Sequence, residues 1–84
     1  MKVTLENTTK IVALALNGTY VPARVWQGET EDGIPVQAFI TRIAPEIPQT
    51  DPDIAARTAA FERELLRQAD PRPSVAAIPL TLII

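Results

Sequence analysis

Val21-Pro22-Ala23-Arg24-Val25-Trp26-Gln27, then Gly28-Glu29-Thr30-Glu31-Asp32-Gly33, then Ile34-Pro35-Val36-Gln37-Ala38-Phe39-Ile40-Thr41-Arg42-Ile43: this stretch decides the fold. Two β-rich runs flank a loop that opens and closes on glycine, which is a hairpin signal. The stretch carries the single Trp and one of the two Phe. The rest of the chain is read relative to it.

Working towards the N-terminus, Asn17-Gly18 is the strongest two-residue turn signal, because both residues tolerate positive φ. It places Leu16 opposite Thr19, Leu14 opposite Val21 and Val12 opposite Ala23. Lys10–Leu16 is a continuous apolar strand, and Lys2–Glu6 alternates as a half-buried one. Asn7-Thr8-Thr9 reads as a turn between them, which sets Leu5 against Val12 and Val3 against Leu14. Across the second hairpin, Gln27 opposite Ile34 sets Val25 against Val36, Ala23 against Ala38 and Val21 against Ile40.

These registers agree on one apolar face: Val3, Leu5, Val12, Leu14, Leu16, Val21, Ala23, Val25, Ile34, Val36, Ala38 and Ile40. The other face carries Lys2, Thr4, Glu6, Ile11, Ala13, Ala15, Tyr20, Pro22, Arg24, Trp26, Pro35, Gln37, Phe39, Thr41 and Ile43. A one-residue slip in any pair would turn a whole strand over. Pro22 and Pro35 donate no ladder hydrogen bond, so each is expected at a bulge or facing away from a partner strand.

Working towards the C-terminus, Ala44–Thr50 is a proline-broken connector. Asp51-Pro52-Asp53 opens a helix, with Asp51 as cap and Pro52 in the first turn, or with Thr50 as cap. The helix is expected to reach Gln68 or Ala69, with Asp53–Arg57 as an i,i+4 ion pair. Its stripe of Ile54, Thr58, Phe61, Leu65 and Ala69 is expected to cover the apolar face. After the stiff Asp70–Ser74 linker, Val75–Ile84 reads as a fifth strand, with Pro79 arguing for an edge. The expected fold is α+β: a four-stranded antiparallel β-meander with one helix packed on one face and a C-terminal fifth strand, in the order ββββαβ. All of it fits one domain, residues 1–84.

The 84 residues contain no Cys and no His, which removes thiol chemistry, the commonest general base and the commonest metal ligand. The net charge of −2 lacks the basic stripe of a nucleic-acid binder. Ile11–Leu16, the longest apolar run, falls far short of the ~20 residues of a membrane span. Glu6 interrupts any signal-peptide core, so a cytoplasmic protein is expected.

Most candidate motifs have plain readings. Asn7-Thr8-Thr9 and Asn17-Gly18-Thr19 match the glycosylation sequon but read as turn chemistry. Glu29, Glu31 and Asp32 form a hairpin tip without calcium-loop spacing. Ser74 has no histidine to activate it. Glu62 and Glu64 lie on different sides of the helix. Arg63, Arg67 and Arg72 read as a helix-end complement to the dipole. No catalytic, cofactor-binding or metal-binding residue is assigned, and no enzyme activity is expected.

Tyr20, Arg24, Trp26, Gln37 and Phe39 are the exception. Trp, Tyr and Arg dominate interface hot spots, since they bury large area and keep a polar handle. The group reads either as a minor second core or as an interaction surface for a protein partner or a second copy.

Ala23-Arg24-Val25-Trp26-Gln27-Gly28, with Thr30, Gly33-Ile34-Pro35-Val36 and Phe39-Ile40-Thr41-Arg42-Ile43, resembles a pattern in small uncharacterised proteins of temperate phages and prophages. In that pattern Glu is expected more often where this chain has Gln27. The resemblance covers about a quarter of the chain and brings no activity with it. It implies a phage or prophage gene product in a bacterial cytoplasm. The expected role is a protein–protein interaction module or, alternatively, a self-associating component of a phage particle.

Overall fold

A computed structural model describes residues 1–83; Ile84, the end of the expected last strand, lies outside the described residues. The chain is α+β. Three strands, β1 (Val3–Leu16), β2 (Thr19–Thr30) and β3 (Pro35–Ile40), precede helix α1 (Ile54–Leu65), a short helix α2 (Pro73–Ala76) and strand β4 (Thr81–Ile83). They form one sheet in the order β3-β2-β1-β4. The sheet is mixed rather than a pure meander, because β4 runs parallel to β1.

The first hairpin has the expected register: Leu16 faces Thr19, Leu14 faces Val21 and Val12 faces Ala23. Asn17 and Gly18 take φ of 48° and 79°, the two positive values that a type I′ turn demands. In such a hairpin Pro22 turns its nitrogen away from β1. The β2–β3 pairing ends at Arg24 and Ile40, so no strand is left wanting that donor. Pro35 opens β3, the other position a strand tolerates.

Asn7-Thr8-Thr9 is not a turn. β1 continues through it and pairs Val3–Asn7 with Thr30–Trp26, so Leu5 faces Gly28 instead of Val12. A bulge absorbs the mismatch, β1 advancing from Asn7 to Ile11 while β2 advances only from Trp26 to Arg24. The Thr8 hydroxyl, fully buried, donates to the Val25 carbonyl and accepts the Lys10 N–H at 3.2 Å. Thr9 N–H donates to Ala69 O at 3.1 Å, and Ala69 N–H donates to Asn7 O at 2.9 Å. The same side chains that close turns thus satisfy a bulge.

The second hairpin also differs. Its loop is Glu31-Asp32-Gly33 alone: Thr30 N–H donates to Ile34 O and Gly33 N–H to Thr30 O, both at 3.0 Å. Gly33 has φ 80°, as the left-handed residue closing a three-residue loop should. Gln27 therefore faces Gln37, and Val25 faces Phe39. The register moves by three residues, an odd number, so β3 is turned over. Val36, Ala38 and Ile40 lie opposite Gly28, Trp26 and Arg24, on the face away from Val25. The expected single apolar face does not exist.

The core sits on the inner face, where Val12, Leu14, Ala23 and Val25 are buried. Its cover is α2, not α1. Val75 is fully buried against those residues, with Phe39, Ile78 and Leu82 packed around it. Pro73 stands in the first turn of α2, so Val75 belongs to a helix rather than to the expected strand. Among the described residues of that segment, Thr81–Ile83 form the strand, pairing with Ala13–Ala15 at the sheet edge.

Helix α1 has no buried side chain and stops at Leu65, short of the expected end. Asn7 Nδ2 donates to the Leu65 carbonyl at 2.9 Å, and the two Ala69 bonds hold the chain beyond it. Those anchors set the last turn of α1 on the Trp26 side of the sheet. At the other end, Asp51 Oδ1 accepts the Asp53 N–H at 2.8 Å. Arg57 pairs with Asp51 at 2.7 Å rather than with Asp53. Because Phe61 is only half-buried, Phe61→Ala is expected to cost about 1 kcal/mol, well below the ~3–5 of a fully buried Phe. Urea denaturation checks this.

The accessible surface is 6277 Å², whereas a compact monomer of this mass, 9.2 kDa, exposes roughly 4,900 Å². The Cα radius of gyration, 15.1 Å, likewise exceeds the ~12 Å expected at this length.

Candidate functional site

The outer face of the sheet divides into two halves. In one, Trp26 is half-buried beside Asn7, Ile43 and Leu65, which together floor two adjoining clefts of about 350 and 360 Å³. Arg24, Ile40 and Arg42 border the first, and Phe61 and Arg67 the second. Arg24 donates to the Thr8 carbonyl at 3.4 Å, so its guanidinium is tied to the bulge. Asn7 gives its amide to Leu65 O, and its Oδ1 is buried without a partner.

In the other half no helix stands over the sheet among the described residues. Ala15 lies between Tyr20 on β2 and Ile83 on β4, and Ala13 lies between Pro22 and Thr81. Tyr20 is 64% exposed, Ile83 87% and the nearby Ile11 50%. The result is a trough with a small-residue floor and large apolar walls.

Of the five residues singled out from sequence, the structure brings together Tyr20, Arg24 and Trp26 on this outer face. Gln37 and Phe39 fall on the inner face, Phe39 against the core and Gln37 exposed opposite Gln27. The odd register shift of β3 is the reason. Ala38 and Ile40 stand where those two were expected.

The inner face holds a polar cluster that the sequence reading missed. Gln27 is buried, and its Nε2 donates to Glu6 Oε1 at 3.0 Å and to Asp70 O at 3.3 Å. Its Oε1 accepts the Arg72 N–H at 2.9 Å. Arg72 in turn donates to Gly28 O at 3.3 Å and Val36 O at 2.8 Å, bridging β2 and β3. It therefore serves the sheet and not a helix dipole. The available signal was Gln27 itself, a polar residue two places beyond Val25 and four beyond Ala23, on their buried face.

Among the described residues no group of three Asp, Glu, His or Cys stands close enough to hold a metal ion. No helix among them is long and apolar enough to cross a membrane. What the fold and surface define is a small α+β protein with an open mixed sheet, cored on one face and met on part of the other by the end of α1. No family model, no curated protein and no solved structure matches the chain.

Proposed function

We propose that this chain is a non-enzymatic protein–protein interaction module, encoded by a phage or prophage and acting in the bacterial cytoplasm. Its partner is a host or phage protein or a second copy of the chain. The excess of accessible surface, about 1,300 Å² over a compact monomer of the same mass, carries the reading. So do the large apolar side chains exposed on the outer face, Ile11, Tyr20 and Ile83. The absence of His and Cys from the sequence and its negative charge support an interaction role over catalysis or nucleic-acid binding. Arg24 and Trp26, beside the apolar trough, are the hot-spot types that such a surface uses.

A second reading, a self-associating component of a phage particle, is favoured by the open sheet. β3 and β4 are both unpaired edges, each able to accept another strand. Light scattering coupled to size exclusion separates the two, a discrete small complex against concentration-dependent higher oligomers. Trp26 emission is expected to respond to quencher in the dilute chain and to be protected on association. Trp26→Ala with Arg24→Ala is expected to weaken that association. A chain that stays monomeric and binds no protein would remove the proposal.

A further inference from the structure

We infer that the two adjoining clefts beside Trp26 form one binding site for a nucleoside monophosphate, its base laid against Trp26 and its phosphate held by Arg24 and Arg42. The inference goes beyond the interaction-module reading and does not depend on it, because a small ligand needs no protein partner.

Three observations carry it. The first is an acceptor without a donor. Asn7 is 6% exposed and stands directly opposite Trp26 in the β1–β2 ladder. The Cβ atoms of such a pair lie ~4.5–5.5 Å apart, so the Asn7 amide and the Trp26 ring are neighbours. Asn7 Nδ2 is committed to Leu65 O at 2.9 Å, which sets the amide's orientation and leaves Oδ1 buried and unpaired. A buried acceptor in this state is destabilising until a donor reaches it. Asn7 borders both clefts, and an N–H on the base supplies that donor.

The second is charge. The first cleft is bordered by Arg24 and Arg42 and by no carboxylate. Among the described residues neither arginine forms an ion pair. A phosphate monoester carries about −1.5 to −2 at neutral pH and accepts paired hydrogen bonds from guanidinium groups, so it balances both arginines. A carboxylate would balance only one. Arg24 is already oriented by its bond to Thr8 O at 3.4 Å and has further N–H groups to donate.

The third is polarity along the site. The clefts, about 350 and 360 Å³, share Trp26, and each is within the ~300–1,000 Å³ of small-molecule sites. The second sets Glu6 and Glu64 against Arg67, so it offers acceptors where the first offers donors. A nucleotide has the matching polarity. Its phosphate oxygens accept at one end, and at the other a planar base carries N–H donors and stacks on an aromatic side chain.

Titration of the dilute chain with AMP, GMP, CMP and UMP is the test, followed by calorimetry and by the emission of Trp26, the single tryptophan. At least one of the four is expected to bind one to one and to quench that emission. Its nucleoside and ribose 5-phosphate, each lacking one half of the ligand, are expected to bind at least about tenfold more weakly. Arg42 is exposed and lies outside the core, so Arg42→Gln is expected to fold normally and to raise the Kd about tenfold.

Failure of all four nucleotides to bind overturns the inference. Equal binding by either half overturns it too, since the site then reads a ring or an anion alone. Binding that Arg42→Gln leaves unchanged places the ligand elsewhere and has the same consequence. Should Arg42→Gln fail to fold, the comparison of the nucleotide with its two halves on the wild-type chain decides. None of these results bears on the interaction-module reading, which falls only if the chain binds no protein.

Discussion

Gly28→Ala is expected to be the most damaging single-methyl change in the chain. Gly28 lies in the central strand β2, opposite Leu5 on one side and Val36 on the other. A Cβ there would stand 1.7 Å from the Thr4 carbonyl oxygen, 2.7 Å from its carbon and 2.9 Å from the Leu5 Cα. All three are backbone atoms, so no rotamer change relieves the overlap. β1 has to move away from β2, which strains the pairs from Val3–Thr30 to Glu6–Gln27 and shifts the carbonyl that Arg72 holds. Overpacking that only side chains must absorb costs ~1–3 kcal/mol, and a backbone displacement exceeds that range. We expect a loss of about 3 kcal/mol or more, much of the stability of a domain this small. Gly33→Ala is the control. Its Cβ meets nothing within 4 Å, so only the positive φ of 80° opposes it, at about 1 kcal/mol. Urea titration of both variants should rank Gly28 far above Gly33. Equal midpoints would mean that β1 and β2 are not this close at Gly28.

Gly28 also shows why part of the fold was legible in the sequence and part was not. A glycine marks either a backbone angle or a close approach, and one sequence does not separate the two. Read as the start of a loop, Gly28 lengthened the second turn to six residues and displaced β3 by three. Read as a strand residue, it leaves Glu31-Asp32-Gly33 as the loop, and Phe39 falls beside Val25 as observed. Asn17-Gly18 carried no such ambiguity, since both residues favour the same angle, and its hairpin register is the expected one.

Asn7-Thr8-Thr9 failed for a related reason. Short polar side chains satisfy stray backbone groups in turns and bulges alike, and β2 is long enough to pair with β1 on both sides of the bulge. The stripe on α1 was readable, as the half-buried Ile54, Thr58, Phe61 and Leu65 attest, while Ala69 lies beyond the helix. Nothing in a stripe says which face of a sheet it meets. That was decided by Asn7 and Ala69, through hydrogen bonds between residues 58 apart or more in sequence. Of the candidate surface, the part on one strand, Tyr20, Arg24 and Trp26, survived because alternation within a strand does not depend on register. Gln37 and Phe39 depended on it entirely.

The buried Gln27 gives the second large effect. Gln27→Ala is expected to cost about 3 kcal/mol, because it removes two donated bonds and strands the Arg72 N–H, an unpaired buried group costing ~1–3 kcal/mol by itself. The damage should spread along the chain. Asp70–Arg72 leads directly into α2, whose Val75 closes the core, so hydrogen exchange of residues 75–78 is expected to speed up with the loss. Gln27→Glu separates the roles of the two amide atoms. The carboxylate still accepts from Arg72, but it has no proton for Asp70 O and stands about 3.0 Å from Glu6 Oε1. At neutral pH this variant should be at least as unstable as Gln27→Ala. Urea midpoints of wild type, Gln27→Ala and Gln27→Glu at neutral pH test this ranking. A Gln27→Glu midpoint equal to that of wild type would mean that the bonds to Glu6 and Asp70 contribute nothing, and that Arg72 alone holds the linker against the sheet.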